Sequence, residues 1–424
     1  MTDSGLPARN WNITALPSDF RYMKVQINIF EQLVPLSGGG TPRTFHLIKA
    51  FLKRGHQVYV ASSVQVSRST ALRTLGCQDL KPLKNVSRLS KYKMLKYLYS
   101  HPLNIVNTTL FSGEIEPDLI LSHNTIAGFS GLLAREVSFK PFVVLDLTDL
   151  LFEYLQDFKS VGWLSAVQKI GSRMEARTIR ESDLIITISQ AMKEILERVG
   201  AAKEKISVVY DGVDLATFVE SESGDLRERY GRGMKNIIIF HGVIDPQDGP
   251  ELLIEASRMI LQKFPETMFW VIGDGSALPG MKLAVAANDL KDHYFFSGWI
   301  HQHEVPAFIS ASDMGLVILP DVLSARGRVT LKEFEYWACG IPAVLPRLPA
   351  LEEVVEEGKN GLFYQAGHAE DLAEKVCSLL EDKNRMQSMG RYGKKIVSEK
   401  FNWENLALEI VRICEERFSD FRGQ

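Results

Sequence analysis

The chain has a rhythm that few folds can accommodate. Short, almost unbroken apolar runs alternate with longer stretches of mixed polarity. The runs are VQINIF, QVYVAS, DLILSH, PFVVLDL, DLIITIS and ISVVYDG in the first half, and NIIIFHG, MFWVIGDG, YFFSG, MGLVILP, IPAVLP and GLFY in the second. Strands covered on both faces read this way, because neither side of the sheet meets water. Strands alternating with helical stretches give βαβ units and a parallel sheet, so the expected class is α/β. Between the two series lies VESESGDLRERYGRGM, polar and rich in glycine and charge, which reads as a hinge. At 424 residues the chain exceeds one ordinary core, and two domains of about 200 residues each are expected. We place them at 23–212 and 213–398, after a loose extension of residues 1–22 and before a terminal segment, 399–424. Two such domains make a cleft, and ligands of such sheets bind outside the carboxyl ends of the strands.

Composition narrows the function. With 45% hydrophobic and 24% charged residues the chain has the make-up of a soluble globular protein. A net charge of −3 gives no overall pull toward nucleic acid. Cys77, Cys339, Cys377 and Cys414 are scattered without a C-x-x-C pair, the pattern of reduced cytoplasmic thiols, not of a disulfide frame or zinc site. No apolar run reaches the roughly 18 residues of a membrane span. The leader MTDSGLPARNWNITALPSDF has neither a basic start nor an apolar centre, and so does not read as a signal peptide.

Several stretches are candidates for chemistry. Gly38, Gly39 and Gly40 follow the first strand, then Thr41 and Pro42 fit the cap and first turn of a helix. Such a turn admits a phosphate at the helix amides, or is simply a flexible connection; no G-K-[ST] makes it a P-loop. Gly273 and Gly275 in VIGDGSALPGM form half of a dinucleotide fingerprint, but Pro279 interrupts the helix, and a tight turn is the simpler reading. His123 closes the strand DLILSH and belongs at the cleft edge, as a satisfied loop histidine or a catalytic one. Asp146 and Asp149 follow a strand and read as helix caps, with a role toward substrate hydroxyls as the alternative. From Leu80 to Gly113 there is no acid, and Lys81, Lys84, Arg88, Lys91, Lys93 and Lys96 alternate with apolar residues. That stretch, 81–96, reads as a solvated helix face or as a surface for anionic membrane. His301 and His303 are the nearest thing to a metal pair and read as loop residues; no metal is expected.

SARGRVTLKEFEYWACGIP poses the sharpest question. Thr330 and Glu333 have capping-box spacing, which starts a helix at Leu331, and Gly340 followed by Ile341-Pro342 ends it. At about 100° per residue, Leu331, Phe334, Trp337, Ala338 and Cys339 share an arc that contains Glu335, with Glu333 and Tyr336 outside it. An inward carboxylate without partners costs several kcal/mol, so Glu335 needs a protein group or a ligand.

The order of these pieces resembles family 4 glycosyltransferases of the two-Rossmann-domain (GT-B) type, over nearly all of residues 23 to 418. GGGTPRTFHLIKAFLKRGHQVYVAS is similar to that family's glycine loop and strand entry, and VVYDGVDLATF to its linker. FEYWACGIPAVLPRLPALEEVVEEGKNGLFY is similar to its EamAcG-P-V block, and FNWENLALEIVRICEERF to a closing helix that crosses back to the first domain. The resemblance implies a glycosyltransferase that uses a nucleotide-sugar donor, retains anomeric configuration and needs no metal. It implies that Glu335 accepts hydrogen bonds from the donor's ribose and that His123 contributes to the sugar site. Glycan or lipid-linked acceptors handled at the cytosolic membrane face are the expected partners.

Two departures stand out. Relatives often carry E-x7-E, whose first glutamate touches the transferred sugar; here that position is Gly327. Relatives also often carry an Arg and a Lys after the first strand of the second domain to hold the diphosphate. Here Gly242 is followed by Val243, and Asp248 stands further on. Arg326, Arg328 and Lys332 are expected to replace those cations, Lys332 lying three residues from Glu335 on the same side of the helix. The candidate donor-binding set is therefore Gly38, Gly39, Gly40, Gly242, Arg326, Arg328, Thr330, Leu331 and Glu335, with His123 and Lys332 as candidate catalytic residues. A catalytically silent scaffold of the same fold, partnering an active enzyme, and a sugar-nucleotide epimerase are the alternatives.

Overall fold

The computed structural model describes residues 22–34, 36, 41–84, 99–137, 140–150, 163–221, 225–246 and 249–423. The extension expected at 1–22, apart from Tyr22, lies outside them. Two parallel sheets organise the chain. The first has the order β3-β2-β1-β4-β5-β6-β7 and the second β10-β9-β8-β11-β12-β13. The first comprises β1 (Lys24–Val34), β2 (Gln57–Val64), β3 (Asp79–Pro82), β4 (Leu119–His123), β5 (Phe142–Leu147), β6 (Leu184–Thr187) and β7 (Ile206–Val208). The second comprises β8 (Asn236–His241), β9 (Thr267–Ile272), β10 (Tyr294–Gly298), β11 (Met314–Leu316), β12 (Ala343–Pro346) and β13 (Gly361–Tyr364). In β4, β5, β8 and β9 every residue is buried, which is why these strands are continuous apolar runs in sequence.

In each sheet the strand order reverses once, between β1 and β4 and between β8 and β11. Those reversal points are where the loops diverge and leave a crevice. His123 ends β4 at the first crevice and His241 ends β8 at the second.

The linker corrects one expectation. Leu226–Tyr230 is helical, Arg227 donates to Ala311 O at 2.9 Å and Asp313 at 3.1 Å, and Tyr230 stacks on Phe295 at 4.4 Å. The segment read as a hinge thus belongs to the second domain, anchored by the Arg227 hydrogen bonds and the Tyr230 stack despite its polar composition. The chain crosses earlier: the Val213 amide donates to Phe401 O (2.9 Å), and the Trp403 amide donates to Val213 O (3.2 Å). The outgoing and returning crossings are therefore joined.

The closing helix, Trp403–Gly423, lies on the first domain. Trp403, Ala407, Ile410, Val411, Cys414 and Phe418 enter the core formed by β1, β2 and the first helix, Thr41–Lys53. Its Glu415 is clamped by Arg54 (2.7 Å) and His56 (2.9 Å).

Candidate active site

The carboxyl ends of the two sheets meet along a seam. Ser189 follows β6 and caps the helix Gln190–Val199, accepting the Met192 amide at 2.9 Å. Its hydroxyl donates across the seam to Gly327 O at 2.7 Å. The helix's first amides, of Gln190 and Ala191, each donate to the Glu353 carboxylate at 2.8 Å, where a negative charge also suits the helix N-terminus. Tyr210 completes the contact, its hydroxyl donating to Glu353 at 2.9 Å. Gly327 sits against this helix so closely that a Cβ there would lie 3.0 Å from Met192 Cε and 3.2 Å from Met192 Cα. The position where relatives carry a sugar-touching glutamate is here a packing contact between domains.

The helix carrying Glu335 spans Lys332–Ala338, seven residues and not nine, with Leu331 at its cap position. Only half of the expected capping box forms. Glu333 reaches back to the Thr330 amide at 2.7 Å, while the Thr330 hydroxyl donates to the same carboxylate and accepts nothing from the helix. The assignment of inward and outward residues also changes. Glu333 and Tyr336 are fully buried, whereas the Glu335 side chain is 12% exposed. The cause is enclosure: Tyr336 packs on the sheet and donates to Leu316 O at 3.0 Å, while Trp337, about 100° round the helix, donates to Asn360 O at 2.8 Å. A helix covered on several sides has no single inner arc. Burial pushes Glu333 up to about 7, against the pull of its Thr330 hydrogen bonds.

Glu335 faces the second crevice. Its Oε2 meets His241 Nε2 at 2.5 Å, and His241 Nδ1 is buried with no partner among the described residues. Lys332 leans over the turn after β8: a Cβ at Gly242, where φ is +115°, would lie 3.1 Å from Lys332 Cε and 3.8 Å from Nζ. Glycine leaves room for that ammonium, which also sits 5.8 Å from the Phe240 ring.

The other two cations go elsewhere. Arg326 is half exposed and forks onto Asp321 at 2.6 and 3.0 Å, while Arg328 Nε lies 3.9 Å from Asp149 of the first domain. Leu331 packs against the first domain's core. Gly38, Gly39, Gly40 and Asp248 lie outside the described residues, as does most of the basic stretch 81–96. Of its described part, Lys81 lies 3.8 Å from Glu114.

In the first crevice His123 is buried, and its Nδ1 lies 3.2 Å from Asp146 Oδ2. Asp146 is not a cap: it lies within β5, wholly buried, and receives Arg43 Nε at 2.9 and 3.0 Å. Arg43 Nη1 continues to Asp211 Oδ1 (3.0 Å), Tyr210 O (3.2 Å) and Val209 O (3.3 Å). Sequence reasoning missed Arg43, Asp211, His241 and Glu353. Arg43 did leave a signal, since it lines up with Leu47 and Phe51 on the buried side of the first helix, where a lone cation demands partners.

Two Rossmann-type domains with opposed carboxyl ends define the GT-B class of glycosyltransferase. Residues 37–217 match the family model Glycosyltransferase Family 4, and residues 223–396 match Glycosyl transferases group 1. The chain belongs to this family. It is 23% identical, over 92% of its length and 97% of the other, to an uncharacterised glycosyltransferase of Methanocaldococcus jannaschii. It is 26% identical to the spore coat protein SA of Bacillus subtilis, a match covering 55% of this chain and 64% of that protein. Among solved structures, HepE of Anabaena in complex with UDP-glucose superposes with a TM-score of 0.74 at 20% identity, over 93% of this chain and 100% of that one.

Proposed function

We propose that the chain transfers a sugar from a nucleotide-sugar donor to a glycan or lipid-linked acceptor, with retention and without a metal. The observation that carries this reading is the placement of Glu335 and Lys332 together at the carboxyl end of β8. One carboxylate oxygen rests on His241, and a single ammonium lies over Gly242. Glu335 would accept the ribose hydroxyls, as the family resemblance implies. Lys332 and the amides after β8 would stabilise charge developing on the departing diphosphate, where a preorganised cation acts without rearrangement. The seam at Ser189, Gly327 and Glu353 would hold the domains together over the bound donor and limit water. Support for the donor class comes from the HepE complex with UDP-glucose.

Among the described residues, no group of three or more His, Cys, Asp or Glu side chains is placed to hold a metal, and no helix is long and apolar enough to cross a membrane. Contact with an anionic membrane through 81–96 is part of the proposal for a lipid-linked acceptor. Flotation with anionic vesicles tests it, and a protein that stays at the bottom of the gradient rules that surface out.

The main test is release of nucleoside diphosphate from a panel of UDP-, GDP- and ADP-sugars. Turnover of one donor, with a strongly raised KM in Glu335→Ala, is the expected result. Stabilisation by a nucleoside diphosphate with no turnover of any donor would favour the silent scaffold instead, a reading that the closed packing at Gly327 keeps in play.

A further inference from the structure

His123 and Asp146 are paired in register on neighbouring strands, so their side chains leave the sheet together and on the same side. That geometry alone allows the ring to turn. What removes the freedom is Arg43, whose Nε binds both oxygens of Asp146 while its Nη1 is fastened to Asp211 and two linker carbonyls. The carboxylate is thus fixed from behind and presents one oxygen to His123 Nδ1. The far ring nitrogen, Nε2, is buried and has no partner among the described residues, and neither has Arg43 Nη2. A buried polar atom without a partner costs about 1–3 kcal/mol, a cost that is tolerated where a ligand supplies the missing bond.

We propose that Asp146, locked by Arg43, is the positioning residue for His123: it accepts a hydrogen bond from Nδ1–H and stabilises the imidazolium, whose Nε2–H is left as a donor aimed at the transferred sugar. This rests on the nucleotide-sugar reading above and assigns the structural origin of the histidine's orientation. Charge supports it. Four charged groups face the ring or its partner: Asp146 on β5, Glu31 on β1, Arg43 on the first helix and Asp211 on the linker. Burial by itself lowers His123, but the Asp146 hydrogen bond and charge, with Glu31, outweigh it and raise the imidazole above its ordinary value, Arg43 opposing. Burial raises Asp146 too, yet Arg43 and His123 hold it below the carboxylate range. A histidine held as imidazolium is a donor at both nitrogens. The sign follows: the donor form is present below the raised value and is lost as pH rises through it.

The test uses the full chain with 15N-labelled histidine, the His123 signals being identified by their loss in His123→Gln. In the unsubstituted protein titration of the ring should lie above about 6.5, and both ring nitrogens should be protonated at pH values below it. Asp146→Asn should lower that titration by about one unit or more. It should also draw the alkaline limb of kcat/KM toward lower pH, with a loss of about tenfold at pH 8 and a smaller one at pH 6. A purely structural role would lower activity equally at all pH. A neutral His123 with a bare Nδ1 in the unsubstituted protein overturns the proposal, and needs no variant to fold. So does an Asp146→Asn protein, melting normally, whose His123 titration has not moved. Should no nucleotide sugar bind or react, the functional reading fails, while the ring's protonation still reports on the Asp146 lock. Addition of UDP-glucose, or of whichever donor turns over, should shift the Nε2 signal; an unmoved signal in a protein that turns that donor over removes the contact with sugar.

Discussion

The two crevices share a topology and handle charge in opposite ways. At the end of β4 the charges are closed on one another: Arg43, Asp146, Asp211 and His123 form one buried cluster, in which the outer edge of the imidazole and one guanidinium nitrogen have no partners among the described residues. At the end of β8 the groups are fewer and more open. One acid rests on one histidine, and an ammonium stands over a glycine. A closed cluster holds its shape whether or not ligand is present, because removing any partner strands a buried charge. An open pair gains its partners from the ligand. On the proposed reading, the first crevice fixes orientation and the second supplies affinity.

That contrast can be broken at either end. The largest effect should come from Arg43→Met, which leaves Asp146 and Asp211 buried without their cation. Loss of about 3–5 kcal/mol in urea unfolding is expected, and a change under about 1 kcal/mol would show that the cluster is not closed. Glu335→Ala should leave unfolding nearly unchanged but weaken donor binding by about 2–3 kcal/mol, roughly 30- to 150-fold in KM. Equal loss of stability and binding would erase the distinction between the crevices.

Glu333 gives an intermediate effect with a known sign. Its carboxyl is raised to about 7 by burial, so the folded state holds that proton more tightly than the unfolded chain does. Its contribution is fully present below about 4.3, the unfolded value, and stability falls as pH rises from there through about 7. The size is on the order of 3–4 kcal/mol. Glu333→Gln should flatten that slope, measured by urea unfolding at several pH values.

Lys332→Ala should cost about tenfold in donor KM or kcat with little change in melting; unchanged kinetics would remove Lys332 from the site. Gly327→Ala should be mildest, about 1 kcal/mol of stability, since Met192 Cε and Ile195 Cδ1 can shift away and only the 3.2 Å approach to Met192 Cα remains as a cost.

Much of the architecture was legible because strands buried on both faces must be apolar throughout. Twelve strands coincide with the quoted runs, and β3, with the sequence DLKP, does not. It is an edge strand, only partly buried, and pairing with β2 holds it in place without an apolar signature. His123 and Glu335 were legible as residues of the crevices because a strand end and a helix face have readable periods. The exchange of Glu333 with Glu335 was not, since periodicity assumes one covered side and this helix has more. Partners separated by 103 and 168 residues, as Arg43 is from Asp146 and Asp211, leave no local pattern. Only the misplaced cation among Leu47 and Phe51 pointed that way.

The bond pair between Val213 and Phe401–Trp403 has a mechanical consequence. Two connections bound side by side behave as a ribbon, which bends readily across its flat face and resists torsion about its length. Any opening between the domains would thereby be channelled into a single swing, and closure would return the seam helix to the same registry with Gly327.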